Sequence, residues 1–431
     1  MWVVLLGAGL WFSVGSGFWQ IRRMGDIFRQ TLGSLFTGGE KAGGGVSPYQ
    51  AMTTALASTA GTGNIAGVAT AIAAGGPGAV FWMWVSALLG MMTKYAEVFL
   101  AVRYRREHPN GGYYGGPMYY MEAIGWRVPA LMFAGFCMAA AFGVGNLTQV
   151  HTMADACYAV FRVPRAVTGG AAAILAAAVL LGGIRSVVSV TEKLVPLMSG
   201  LYIALAAAVL ILSRDGIPSA LRLIAGGAFA PGAVLGGAAG YTVTRAIRFG
   251  VARGVFTHEA GMGSAPIAHA CAETDSAARQ GMWGALEVFI DTMVLCTLTA
   301  LVILATGVYA PGGAADGAAL TVAAFERVLG PFGGGAVAVC TILFAFATIP
   351  GWCFYGERCC QYVFPGAAAP VLYRAAFIAA LLPGAVMRLD TVWAFSDVMN
   401  ALMALPNLAA ILVLSPAVFE ATRRSAPRSP T

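Results

Sequence analysis

Apolar runs long enough to cross a bilayer recur along nearly the whole chain, separated by charged or Gly/Pro-rich turns. They predict about eleven membrane helices, over 2–21, 50–74, 79–103, 128–160, 166–181, 193–213, 236–272, 280–306, 332–363, 370–387 and 391–418. Two of these runs contain residues that work against a helix. Ser58 to Gly67 reads STAGTGNIAG; Gly61, Gly63 and Gly67 each cost about 1 kcal/mol relative to alanine, while Thr59, Thr62 and Asn64 bring polar groups into hydrocarbon. The segment 250–266, GVARGVFTHEAGMGSAP, interrupts the seventh run in a similar way. Irregular backbone at membrane depth survives only where protein or a water-filled cavity satisfies it, so each interruption predicts a discontinuous helix beside a polar site. Their matching positions predict an inverted repeat of five and five helices, 50–213 and 236–418. Residues 1–49 would supply an extra helix and a cytoplasmic linker, and 419–431 a short tail.

Composition agrees with this all-α, polytopic reading. The 431 residues are 58% hydrophobic and only 10% charged, so no single soluble core can hide the apolar surface. A net charge of +7 would suggest nucleic acid in a soluble chain, but here the basic residues sit in short loops. Arg22, Arg23, Arg29, Lys41, Arg103, Arg105 and Arg106 fall on one side with most of the later ones; Arg162, Arg165, Arg214, Arg222, Arg327 and Arg388 fall on the other. That asymmetry predicts an outside N-terminus and a cytoplasmic C-terminus in a cell membrane. The opening Met1-Trp2-Val3-Val4-Leu5-Leu6 has neither the basic leader nor the small-residue cleavage site of a secretory signal and reads as a membrane helix. The eight cysteines lack metal-type spacing and read as packed thiols. No Ser/His pair or metal-ligand cluster in the runs points to an enzyme.

An unwound turn bares amides at the start of one half-helix, which suit a carboxylate, and carbonyls at the end of the other, which suit a small cation. A zwitterionic amino acid with a co-transported cation fits both. Close helix packing is the alternative account of Gly61 and Gly63, but it leaves Thr62 and Asn64 unexplained. Other polar groups in the runs have two readings each. Gln149 either reaches a ligand or makes an interhelical hydrogen bond; Asp291 is either functional or paired; Glu259 either caps free amides or senses a cation or proton. Pro350 frees the carbonyl of Phe346 near Thr348, which either helps ligate sodium or marks a kink, and Trp352 either walls a pocket or fills volume. Lys94 and Glu97, three apart near the end of the third run, are expected to pair and snorkel.

Several segments carry a specific resemblance: GTGNIAGVATA followed by GGPGAVFWMW, GGPMYY at 115–120, VTEKLVPLMSGLY at 190–202, RGVFTHEAGMGSAPIAHA at 253–270, DTMVLCTLTAL at 291–301 and GWCFYGERC at 351–359. By these the chain resembles the alanine or glycine:cation symporters, the sodium:alanine symporter family, over nearly its full length. The resemblance implies a LeuT-type core preceded by one extra helix. It also implies uptake of small neutral amino acids, alanine or glycine, coupled to sodium or in some members to protons. It places the substrate carboxylate at Gly61, Thr62, Gly63 and Asn64, lines the pocket with Gln149, Phe256, Thr257, Met262 and Trp352, and gives sodium the carbonyls of Ala57 and Ala60 with the hydroxyl of Thr348. Members commonly read Phe-Ser-Asn-Glu-Ala-Gly where this chain has Phe256-Thr257-His258-Glu259-Ala260-Gly261, and Ser where it has Ala347, one hydroxyl fewer for a cation. The alternative functions are a proton-coupled carrier of another small solute and a membrane sensor that binds an amino acid without moving it. The absence of an appended soluble domain speaks against the sensor.

Overall fold

The computed structural model describes residues 1–36, 45–107, 111–229, 243–312, 317–387 and 389–424, with the side chains of 389–391 left aside. Lys41, Arg388, the expected helix start at 236–242 and the end of the tail, 425–431, lie outside the described residues.

The chain is helical almost throughout. Among the described residues, six helices are long and apolar enough to span a membrane: Gly78–Arg103, Arg127–Phe161, Gly183–Leu212, Ala277–Ala305, Pro331–Val363 and Val392–Val413. Shorter apolar helices, Trp2–Gly15, Ala66–Gly75, Arg165–Leu180 and Ala368–Gly384, lie among them. The outer surface carries the side chains that lipid would cover, such as Ile174 at 73% exposure and Leu181 at 75%.

The principal elements are labelled in chain order: α1 (Trp2–Gly15), α2 (Pro48–Thr59), α3 (Ala66–Gly75), α4 (Gly78–Arg103), α5 (Arg127–Phe161), α6 (Arg165–Leu180), α7 (Gly183–Leu212), α8 (Ile217–Phe229), α9 (Val243–His258), α10 (Pro266–His269), α11 (Ala277–Ala305), α12 (Gly317–Leu329), α13 (Pro331–Val363), α14 (Ala368–Gly384), α15 (Leu389–Val413) and α16 (Ser415–Arg424). The buried helix α4 packs along α9, α11 and α1, while α13 packs on α5, α7 and α12.

Several expected boundaries move, each for a local reason. The first helix, expected over 2–21, ends at Gly15, because Gly17 (φ 66°) and Phe18 (φ 54°) turn the chain into short helices. Helix α7 begins at Gly183 rather than 193, its charged first turns included, and Glu192 Oε2 there accepts from Gln50 Nε2 of α2 at 2.9 Å. Helices α8 and α12, which the pattern did not predict, pack against α4 and α13 respectively. Both α5 and α11 contain a stretch of wider π-type winding, Gly143–Leu147 and Phe289–Cys296. Helix α9 runs through His258, so the irregular backbone of the seventh run occupies 259–265 instead of the longer 250–266.

Lys94 and Glu97 are corrected outright. Both are fully buried, and Lys94 does not snorkel: its ammonium lies 3.3 Å from Glu287 Oε1 on α11. Their i,i+3 spacing had suggested a local pair, but the tertiary fold supplies a partner 193 residues away.

Candidate functional site

The first run breaks where its glycines cluster. Helix α2 starts with a capping box, in which Ser47 and Gln50 exchange hydrogen bonds and Pro48 occupies the first turn. It ends at Thr59, and after a single 3₁₀ turn at Thr62–Asn64 the chain resumes as α3. The break lies entirely in the interior; Ala60, Thr62 and Asn64 are each at most 1% exposed. Buried backbone must find partners, and side chains from distant helices provide them. Thr299 donates to Asn64 O at 2.7 Å, Thr321 to Ile65 O at 3.1 Å, and Thr348 to Ala57 O at 3.0 Å. Trp352 Nε1 donates to Ser58 O at 3.3 Å.

One flank of the turn is formed by α5 and α13. Thr62 N–H donates to Gln149 Oε1 at 3.2 Å, and Gln149 Nε2 is anchored on Val144 O at 3.0 Å, in the π-wound turn. The approach needs a glycine, because a β-carbon at position 61 would stand 2.6 Å from Thr348 Oγ1 and 3.1 Å from Gln149 Oε1. Gly145 makes room for Trp352 in the same way, a β-carbon there falling 2.0 Å from Trp352 Cβ. Gly61, Thr62, Gln149, Thr348, Ala57 and, through Ser58, Trp352 therefore converge on one face of the break. Ala60 is buried at its start, its N–H donating to Leu56 O at 2.7 Å.

The other flank belongs to α9 and α11. A β-carbon at Gly63 would lie 2.7 Å from Thr257 Cγ2 and 3.3 Å from Phe256 Cδ1, so this glycine brings the first break against the end of the helix that leads into the second. Thr257 donates to Gly254 O at 2.8 Å and stands 3.3 Å from Thr292. Asn64 turns away from Gln149: its amide donates to Asp291 O at 3.0 Å and to Asp291 Oδ1 at 2.7 Å, and Asp291 also accepts from Thr292 at 2.8 Å. Met262 is not at the turn. With Phe256 it lines a cavity of about 190 Å³ between α1, α9 and α15, shared with Trp2, Leu5, Asp397 and Asn400.

Two buried polar atoms of the break, Thr62 Oγ1 and Asn64 Oδ1, have no hydrogen-bond partner among the described residues. Native interiors seldom leave such atoms unsatisfied, which marks the turn as a place for a polar ligand. Sequence reasoning did not single out Thr292, Thr299 or Thr321. Thr292 and Thr299 were marked only by their polarity inside an apolar run and Thr321 lay outside every run, so the fold alone shows which groups they satisfy.

Comparison with known proteins sharpens the reading. A model of the sodium:alanine symporter family matches residues 1–427. The sodium/alanine symporter AgcS of Methanococcus maripaludis is 42% identical over 98% of this chain and 93% of its own length. The amino-acid carrier protein AlsT of Bacillus subtilis is 38% identical over 96% and 87%, and the probable sodium/glutamine symporter GlnT of the same organism 35% over 98% and 86%. Among solved structures, a manganese transporter of Eremococcus coleocola aligns with a TM-score of 0.54 over 86% of this chain and 78% of its own, at 15% identity, a likeness of fold alone. The family and its named relatives are transporters, not enzymes, and the family and AgcS are described by symport of alanine with sodium. The chain is a multi-pass membrane transporter and belongs to the sodium:alanine symporter family.

Proposed function

We propose that this transporter imports alanine and glycine together with sodium by alternating access between its two interrupted helices and the rest of the bundle. The observation that carries the reading is the first break. Its glycines let Gln149 accept from Thr62 N–H and Thr348 pack against the same turn, while Thr62 Oγ1 and Asn64 Oδ1 stand buried and unsatisfied. Amides and small polar groups of Gly61, Thr62, Gly63 and Asn64 would receive the substrate carboxylate. Gln149, Phe256, Thr257 and Trp352 would bound the side chain, with Met262 on the cavity side of Phe256. Sodium would sit between the Thr348 hydroxyl oxygen and the carbonyls of Ala57 and Ala60, hard oxygen donors of the kind such cations take, with the hydroxyl hydrogen turned to Phe344 O, 3.0 Å away.

The helix order supports a LeuT-type core after one extra helix, with repeats at 50–213 and 236–418, each opening on a discontinuous helix; the asymmetry of basic residues between loops supports an outside N-terminus. Gly63 against Phe256 and Thr257 gives that symmetry a physical meaning, because it places the two discontinuous helices side by side. Cation and substrate then favour the same arrangement of the two breaks, and linkage makes the help mutual. Binding of alanine to the purified protein tests this. Alanine should bind only when sodium is present, and Asn64→Ala should weaken it by stripping Asp291 of its amide donor. Binding indifferent to sodium would refute the coupling.

A further inference from the structure

Where α13 ends and α14 begins, a cavity of about 450 Å³ opens at one end of the bundle. Glu357 and Gln361 of α13, Arg374 of α14, Tyr114 and Tyr119 line it. Tyr114 belongs to a short antiparallel pair, Arg106–Glu107 with Tyr113–Tyr114, and Tyr119 to the short helix Pro117–Ala123 that follows. Arginines hold the rings of this corner. Arg106 stands 5.4 Å over the Tyr119 ring, and Arg358 stands 4.8 Å over Tyr114 and 5.0 Å over Phe354. Tyr119 in turn meets Tyr362 edge-on, with 5.5 Å between ring centroids. Interleaved tyrosine and arginine of this kind belong to the boundary between hydrocarbon and water.

Charge at the cavity does not cancel. Arg106 lies 3.0 Å from Glu122, and Arg374 closes on Glu357 through two nitrogens, Nη2 at 2.6 Å and Nε at 3.1 Å. Both pairs are neutral as units. Arg358 is the third cation, and its hydrogen-bond partner among the described residues is an uncharged oxygen, Gln361 Oε1, at 2.8 Å. Arg105 takes no part, because it turns to the carbonyls of Ala272 and Thr274, with Asp275 beside it. A guanidinium stacked on two rings and lacking a counter-ion offers its edge to an anion, and its planar fork matches the oxygens of a phosphate. Arg374 pairs through Nε and Nη2, which leaves Nη1 as a further donor. The second observation is apolar. Phe364, Val371 and Leu372 are 54%, 60% and 68% exposed, and Val371 belongs both to this strip and to the cavity wall.

We infer that this cavity binds one anionic glycerophospholipid, its phosphate on Arg358 and its acyl chains along Phe364, Val371 and Leu372. Charge complementarity and the adjoining apolar strip together select the occupant. A soluble phosphate ester would use the cation and leave the strip bare, whereas a plain hydrocarbon chain would cover the strip and leave Arg358 without its anion. A phospholipid meets both, and the bilayer supplies it at the right depth. The Tyr119 hydroxyl and the Gln361 amide are partners for a glycerol headgroup. Glu357 is the one carboxylate among the described residues of the wall; tied to Arg374, it repels a phosphate on its own side and so favours the Arg358 end. The inference is independent of which solute is carried. It has a bearing on transport all the same, because α13 also carries Thr348 and Trp352, and a lipid gripped at its end braces the helix that flanks the first break.

The test titrates the purified full chain, in mild detergent, with dioleoyl-phosphatidylglycerol or dioleoyl-phosphatidylcholine and counts bound lipid by native mass spectrometry. One phosphatidylglycerol should be retained about tenfold more tightly than phosphatidylcholine, and Arg358→Gln should remove that preference. Arg222→Gln is the matched control, since Arg222 is an exposed arginine of α8 whose Nε donates to Pro218 O of its own helix; it should retain lipid like the unaltered protein. Leu372→Ser alters only an exposed side chain of the strip, so it keeps the test open if Arg358→Gln melts early; it should weaken phosphatidylglycerol retention severalfold. Equal retention of the two lipids by the unaltered protein overturns the site. So does retention in Arg358→Gln equal to that in Arg222→Gln, or unchanged retention in Leu372→Ser. Displacement of the lipid by an equal concentration of glycerophosphoglycerol, the headgroup without chains, also overturns it, by showing a site for a soluble phosphate ester.

Discussion

Gly61→Ala adds one methyl group where the first break meets Thr348 of α13 and Gln149 of α5. The new carbon would lie 2.6 Å from Thr348 Oγ1, against ordinary contacts that begin at 3.4 Å, so Thr348 must retreat by about 3.4 − 2.6 = 0.8 Å. That retreat breaks its 3.0 Å bond to Ala57 O, and the neighbouring contact disturbs Gln149, which accepts from Thr62 N–H at 3.2 Å. Overpacking of this kind costs about 1–3 kcal/mol. Falling on the binding-competent turn, it predicts a loss of alanine affinity of about 5- to 150-fold. A matched control lies beyond the break, at the start of α3, because a β-carbon at Gly67 meets nothing within 4 Å. Equilibrium binding of labelled alanine at saturating sodium, with melting curves for both proteins, reads the difference. Gly67→Ala should bind like the unaltered protein and melt no lower, its extra methyl favouring the helix. Wild-type affinity in Gly61→Ala would refute the assignment of this turn to substrate.

Three further outcomes follow from the same geometry. Trp352→Ala empties a fully buried volume beside Gly145; it should lower the melting temperature, in line with a cost of about 3–5 kcal/mol, and let larger amino acids such as glutamine compete with alanine. An unchanged competition profile would remove Trp352 from the pocket wall. Thr348→Val deletes the hydroxyl beside Ala57 O and should raise the sodium concentration needed for half-maximal uptake, with little change at saturating sodium; an unaltered sodium titration counts against the cation assignment. Lys94→Met strands Glu287 and should cost about 3–5 kcal/mol of stability, whereas the double variant Lys94→Met, Glu287→Leu should recover much of it in a thermal melt. Equal losses in the single and double variants would show that the pair is not coupled.

What the sequence reveals here depends on whether a residue acts locally. The first break was legible because Gly61, Gly63 and Asn64 are poor helix formers wherever they stand. The second was misplaced because glycine has two uses. Gly250 and Gly254 sit inside a regular helix and serve contact, a β-carbon at 250 falling 2.3 Å from Ala79 O on α4, whereas Gly261 and Gly263 have φ of 91° and 82° and turn the chain. The π-wound stretches beside Gln149 and around Asp291 left no trace, since widening a turn by one residue changes no composition. Charge was the least legible. Lys94 and Glu97 looked like neighbours at a helix end, and only the fold shows Lys94 against Glu287 and Glu97 against Asn407. Asp291 illustrates the middle case: its depth was evident, its partner Asn64 was not.

The central claim is that sodium moving down its gradient drives a small amino acid through the site built around the first break. Accumulation of labelled alanine in proteoliposomes, with pH equal on both sides, tests it most directly. An inward sodium gradient should raise internal alanine above the external concentration, and equal sodium on both sides should abolish that excess. Alanine that merely equilibrates, at the same level with or without the sodium gradient, would contradict the account.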